Sequence, residues 1–80
     1  MPTVLRVSGF RFFFYSNEGD PREPPHIHVM RTGAEAKLWL IPEVAVAGSA
    51  GFNARELRQI AALVSEHRNA FEEAWHGYFG

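Results

Sequence analysis

Two imidazoles stand two residues apart in the segment Pro24-Pro25-His26-Ile27-His28-Val29. Side chains alternate faces along a strand, so a strand here places His26 and His28 on one face and Ile27 and Val29 on the other. Such a pair is suited to several kinds of chemistry. Two imidazole nitrogens can hold a divalent metal (Zn, Ni or Fe), with a third ligand from Glu35, from the acids Glu18, Asp20 or Glu23, or from a partner chain. The same pair can act as catalytic acid and base near neutral pH, where a free imidazole titrates. A cation placed opposite, Lys37, suits a bound anion such as phosphate. The structural alternative is that the rings cap a loop or stack on Trp39. Pro24 and Pro25 restrict the entry to the segment and lower the entropy cost of ordering it.

Other chemistry has little support in the chain. There is no Cys, hence no thiol nucleophile, disulfide or Cys-based zinc site. Gly48-Ser49-Ala50-Gly51 matches no nucleotide-binding fingerprint, and no Ser sits in a nucleophile elbow. His67 and His76 are half a turn out of phase on a helix and form no joint site.

The elements that must position the pair can be read from the pattern of the chain. Thr3 to Val7 and Phe10 to Tyr15 are β-rich runs around Ser8-Gly9, which predicts a tight hairpin. Pairing Val7 with Phe10 puts Leu5 opposite Phe12 and Thr3 opposite Phe14. Leu5, Val7, Phe10, Phe12 and Phe14 then share one face, and Val4, Arg6, Arg11, Phe13 and Tyr15 the other. Ser16 to Pro25 reads as a loop. His26 to Arg31 and Ala34 to Leu40 form a second predicted hairpin around Thr32-Gly33. Pairing Arg31 with Ala34 opposes Val29 to Ala36, Ile27 to Leu38, His28 to Lys37, His26 to Trp39 and Met30 to Glu35. A one-residue slip would bury the charges, so the core selects this pairing. Glu43 to Ala47 reads as a short fifth strand, with a turn after it at Gly48, Ser49 and Gly51.

The last third is helical. Asn53 is a natural N-cap with Glu56 three residues on, and Phe52 can staple onto Leu57. Leu57, Ile60, Ala61, Val64, Phe71, Trp75 and Tyr78 recur at helical spacing, predicting one helix from about Ala54 to about His76. The 80 residues make a single domain, and 46% hydrophobic content with seven Phe provides a core. The expected fold is α+β: an antiparallel four- to five-stranded sheet, built from two hairpins and a short strand, with one long C-terminal helix on one face.

One helix covers only one face of a sheet. The other is expected to carry Arg6, Arg11, Phe13, Tyr15, His26, His28, Met30, Glu35, Lys37 and Trp39. Aromatic and cationic groups interleaved on a sheet suit single-stranded nucleic acid, by stacking and phosphate contact. They equally suit a homodimer or partner interface. A formal net charge of −1 argues against a strongly basic nucleic-acid binder. The opening residues have no basic start with an apolar run after it, and no stretch reaches the roughly 18 apolar residues of a membrane span. A soluble cytoplasmic protein without membrane contact is the expectation.

The chain resembles a family of small prokaryotic proteins described as domain of unknown function 4160. The resemblance rests on Met1-Pro2-Thr3-Val4-Leu5-Arg6, Phe12-Phe13-Phe14-Tyr15-Ser16-Asn17-Glu18, Pro24-Pro25-His26-Ile27-His28-Val29 and Ala36-Lys37-Leu38-Trp39-Leu40. It continues through Gly51-Phe52-Asn53, Glu56-Leu57 and Glu73-Ala74-Trp75-His76-Gly77-Tyr78-Phe79. The segment 19–23 looks longer than the family's usual link. Members of that family are often encoded beside a second small protein, in a layout like a toxin–antitoxin pair. The resemblance therefore implies a cognate small protein partner, with RNA as a further target. A local similarity also exists to intradiol dioxygenases, where Pro-x-His-x-His binds iron in a much larger domain that adds tyrosine ligands.

The leading expectation is an interaction protein of toxin–antitoxin type. It would bind a protein partner or RNA through Arg6, Arg11, Phe13, Tyr15, Lys37 and Trp39 around the histidines. The alternatives are a small ribonuclease with His26 and His28 as acid and base, and a metal-binding domain through the same two residues.

Overall fold

Both hairpins turn on two residues in the left-handed region, as a type I′ turn requires. Ser8 and Gly9 have φ of 53° and 79°, and Thr32 and Gly33 have φ of 39° and 79°. The computed structural model describes residues 3–16 and 23–80. The first turn joins β1 (Thr3–Val7) to β2 (Phe10–Phe13), and the second joins β3 (His26–Arg31) to β4 (Ala34–Trp39). With β5 (Ala45–Ala50) these form one antiparallel five-stranded sheet in the order β1-β2-β3-β4-β5. Two helices complete the chain, α1 (Ala54–Glu66) and α2 (Arg68–Phe79), so the fold is α+β.

The register of β3 on β4 is the expected one at all six positions, from His26 opposite Trp39 to Arg31 opposite Ala34. In the first hairpin Val7 faces Phe10 and Leu5 faces Phe12. Thr3 faces Phe13 rather than Phe14, because the ladder is irregular between Thr3 and Leu5. That irregularity lets Val4 pack against the core instead of lying on the opposite face. Strand β2 ends at Phe13, two residues early, and β5 lies later than expected. Gly48 and Ser49, read as turn residues, are paired in β5 with Lys37 and Ala36. Most of the expected loop, residues 17–22, lies outside the described residues.

The main core lies between the sheet and the helices. Phe10, Phe12, Phe14, Ile27, Val29, Ala36, Leu38 and Leu40 meet Ile60, Val64, Phe71 and Trp75. Burying each large side chain of this set contributes about 1.5–3 kcal/mol before entropy is charged. Asn53 and Glu56 form the expected capping box: the Glu56 N–H donates to Asn53 Oδ1 (2.8 Å), and the Asn53 N–H donates to Glu56 Oε1 (2.9 Å). Arg31 reaches from β3 to Glu56 Oε2 at 2.6 Å, with its guanidinium 4.1 Å over the Phe10 ring. The start of α1 is thereby tied to the sheet.

The single predicted helix is divided. His67 adopts φ −103°, ψ 14° between α1 and α2, and its Nδ1–H donates to the Leu63 carbonyl at 2.9 Å. A side chain that bonds the carbonyl of the preceding turn disturbs helical regularity. The buried stripe nonetheless continues through the break, from Ile60 and Val64 to Phe71 and Trp75. No helix is long and apolar enough to cross a membrane among the described residues.

Candidate functional site

The two prolines position the histidines through their carbonyls. Pro25 O accepts from the Leu40 N–H at 3.0 Å, extending the β3–β4 ladder by one pair. Pro24 O lies 3.0 Å from His26 Nδ1, which must carry the proton and donate, since a carbonyl can only accept. The ladder then carries His28 to the centre of the sheet, between Phe13 on β2 and Lys37 on β4.

The two imidazoles occupy different environments. Their ring centroids are 5.2 Å apart and nearly perpendicular. His26 has 0% exposure and packs 4.7 Å from Trp75 and 5.6 Å from Trp39. No ligand atom reaches its ring in this conformation. His28 retains 7% exposure. Phe13 stacks against it at 5.6 Å, and Tyr15 meets it edge-on at 4.6 Å.

The face turned away from the helices carries the expected residues, but Phe13 and His26 are fully buried on it. Phe13 has 0% exposure and lies outside the main core cluster, in a small second aromatic layer. The Arg11 guanidinium sits 4.8 Å from its ring. Phe13 thus supports His28 from below and offers no ring to a ligand.

The polar side chains of this face form two groups. The Tyr15 hydroxyl donates to Glu35 Oε2 at 2.8 Å, and His28 Nδ1 stands 3.7 Å from the same oxygen. Lys37 Nζ donates to Glu23 Oε1 at 2.7 Å and lies 4.4 Å over the Trp39 ring. Between His28, Glu35 and Lys37 on one side and Gly48, Ser49 and Ala50 of β5 on the other lies an open cleft of about 390 Å³. The small β5 residues keep its far side low. Arg6 is exposed at the β1 end of the same face. A larger depression, about 450 Å³, lies on the outer side of α2 among Asn69, Glu72, Glu73 and His76, apart from the histidine pair.

The structure thus gathers Tyr15, His28, Lys37 and Trp39 and sets beside them Glu35 and Glu23, which the sequence offered as third metal ligands and which here pair with Tyr15, His28 and Lys37. The cross-strand register signalled Glu35. Nothing in the sequence signalled that β5 would supply the cleft wall, because its glycine and serine read as a turn. Among the described residues no group of three or more His, Cys, Asp or Glu is placed to hold a metal ion. Glu18 and Asp20, considered as third ligands, lie outside the described residues.

The sequence profile for a domain of unknown function, DUF4160, matches residues 9–76. The chain belongs to the DUF4160 family. The matched span holds the whole site except Arg6: both histidines, Tyr15, Glu23, Glu35, Lys37, Trp39 and β5 all fall within it. No curated protein and no solved structure matches the chain. For this DUF4160 member the site has to be read from its own geometry.

Proposed function

We propose that this chain is a binding module that engages a small protein partner through the sheet face around His28, as one half of a toxin–antitoxin-type pair. The observation that carries the reading is the cleft with its neighbour: His28, Glu35 and Lys37 line it with groups of both signs, and the half-buried Trp39 lies beside it under the Lys37 ammonium. Partly exposed aromatics ringed by polar groups are the composition of protein interfaces. The two-gene arrangement comes from the family resemblance. RNA is less well matched, because Lys37 is already neutralised by Glu23, and Glu35 places a carboxylate in the cleft. A phosphate would have to displace one and approach the other.

Co-expression with the protein encoded by the adjacent gene, then calorimetric titration, tests this. Trp39→Ala should weaken the complex at least tenfold, as loss of an interface aromatic of about 2 kcal/mol does. Absence of any complex, or full affinity in that variant, would remove the reading.

A second reading draws on the 3.7 Å approach of His28 Nδ1 to the Glu35 carboxylate at the cleft floor. A carboxylate beside an imidazole can orient it for proton transfer, with Glu35 replacing the buried His26 as its companion. Under this reading the module cleaves RNA, and His28→Ala and Glu35→Gln each abolish cleavage. Equal activity of wild type and both variants would eliminate it.

A further inference from the structure

Resting on the binding-face reading, we infer that Arg6 and Arg11 form an oxyanion site that takes an acidic side chain of the partner, and that the face reads a segment running acid–apolar–base. Arg6 and Arg11 are directly opposite across β1 and β2, so two like charges share one face of one antiparallel pair. Like charges so placed repel, and proteins normally offset them with a nearby acid. The other cations of the sheet are offset: Arg31 holds Glu56 and Lys37 holds Glu23. Among the described residues Arg6 and Arg11 have no carboxylate partner, and the Arg11 Nε is buried with no hydrogen-bond partner. A like-charge pair with an unmet buried donor, and with no acid to offset it among the described residues, is a pattern that marks functional sites. A carboxylate bridging the two guanidinium forks supplies the missing charge.

The rest of the row sets the residues that succeed this acid in the bound segment. Arg11 faces Met30, Met30 faces Glu35, and Glu35 faces Ala50, so one line across the sheet reads cation, cation, apolar, anion, small. Neighbouring strands are about 4.8 Å apart, which places Glu35 about 10 Å from Arg11 and about 14 Å from Arg6. An extended peptide advances about 3.3 Å per residue, so an acid on the arginines and a base on Glu35 are three to four residues apart. Glu35 holds the Tyr15 hydroxyl through one contact, and a carboxylate has lone pairs for further donors. Nucleic acid does not fit this polarity, since its charge repeats with one sign and would meet Glu35.

The arginine Nε–Hε resonances of the intact chain report the site directly. The probes are a capped Asp-Ala-Leu-Lys peptide, tetra-aspartate and octauridylate. The mixed peptide should move the Arg6 and Arg11 resonances, tetra-aspartate should move them less, and octauridylate should leave them in place. Arg6→Gln, at an exposed position, should weaken the mixed peptide severalfold while the melting temperature holds. Octauridylate binding as well as the peptide would replace the acidic-partner assignment with a nucleic-acid one. Unmoved arginine resonances at millimolar peptide would overturn the site. If Arg6→Gln still bound the adjacent-gene protein at full affinity, the oxyanion site would fall and the binding-face reading would stand. Peptide shifts without any complex with that protein would reverse this.

Discussion

Replacing His26 should cost stability rather than recognition. Its imidazole is fully buried between Trp39 and Trp75 and donates to the Pro24 carbonyl. His26→Ala removes that hydrogen bond, a loss of about 1 kcal/mol, and leaves a cavity beside two tryptophans, a further loss of about 2 kcal/mol. The sum is about 3 kcal/mol, which for a domain of this size lowers the melting temperature by roughly 12–24 °C. His26→Leu refills most of the volume and forfeits chiefly the hydrogen bond, so its drop should be about a third as large. Thermal and urea unfolding monitored by tryptophan fluorescence read both variants through the two rings the imidazole touches. His26→Leu, once folded, should bind the partner as wild type does, whereas His28→Ala should not. A His26→Ala protein melting within about 3 °C of wild type would refute the packing argument. A stable His26→Leu protein that had lost the partner would show that the buried ring takes part in recognition.

Further substitutions test the frame that holds the site. Gly51 has φ +92°, and a Cβ there would lie 2.9 Å from the Ala34 Cβ and 3.1 Å from its Cα. Gly51→Ala should destabilise the protein by about 2–3 kcal/mol in urea unfolding, against little change for Ala at the open Gly48. Thr32 is a β-branched residue at φ 39° in a type I′ turn, so Thr32→Asn should stabilise by about 0.5–1 kcal/mol. The Glu56 carboxyl is held below its ordinary range by the Asn53 N–H and then by Arg31. A carboxyl lowered on folding contributes stability above its unfolded value of about 4.5, and that contribution is lost as pH falls through the lower folded value. Glu56→Gln should therefore be less stable than wild type at neutral pH and converge with it in acid. Parallel stability curves would contradict the assignment.

The residues differ in how far they disclosed their own placement. The β3–β4 register was fully legible, because Ile27, Val29, Ala36 and Leu38 can all reach the core in one pairing only. The capping box was legible for the same kind of reason: Asn53 and Glu56 each satisfy the other's backbone N–H. Alternation also placed Phe13 and His28 together on the second face, but alternation specifies a face and not a depth. Arg11, Tyr15 and His28 fold around Phe13 and bury it, and that depends on side-chain reach. The pattern could not separate His26 from His28 either, since what buries His26 is Trp75, more than forty residues later, packed 4.7 Å from its ring. The helix break at His67 was hidden because the apolar stripe keeps its spacing across it.

The claim that recognition lies on the sheet face opposite the helices can be tested by mapping the complex. Amide chemical-shift changes on adding the adjacent-gene protein to the labelled chain should fall on His28, Glu35, Lys37, Trp39 and Gly48, with α1 and α2 unmoved. Changes confined to the exposed surfaces of α1 and α2, with the β3–β4 amides unperturbed, would contradict the account.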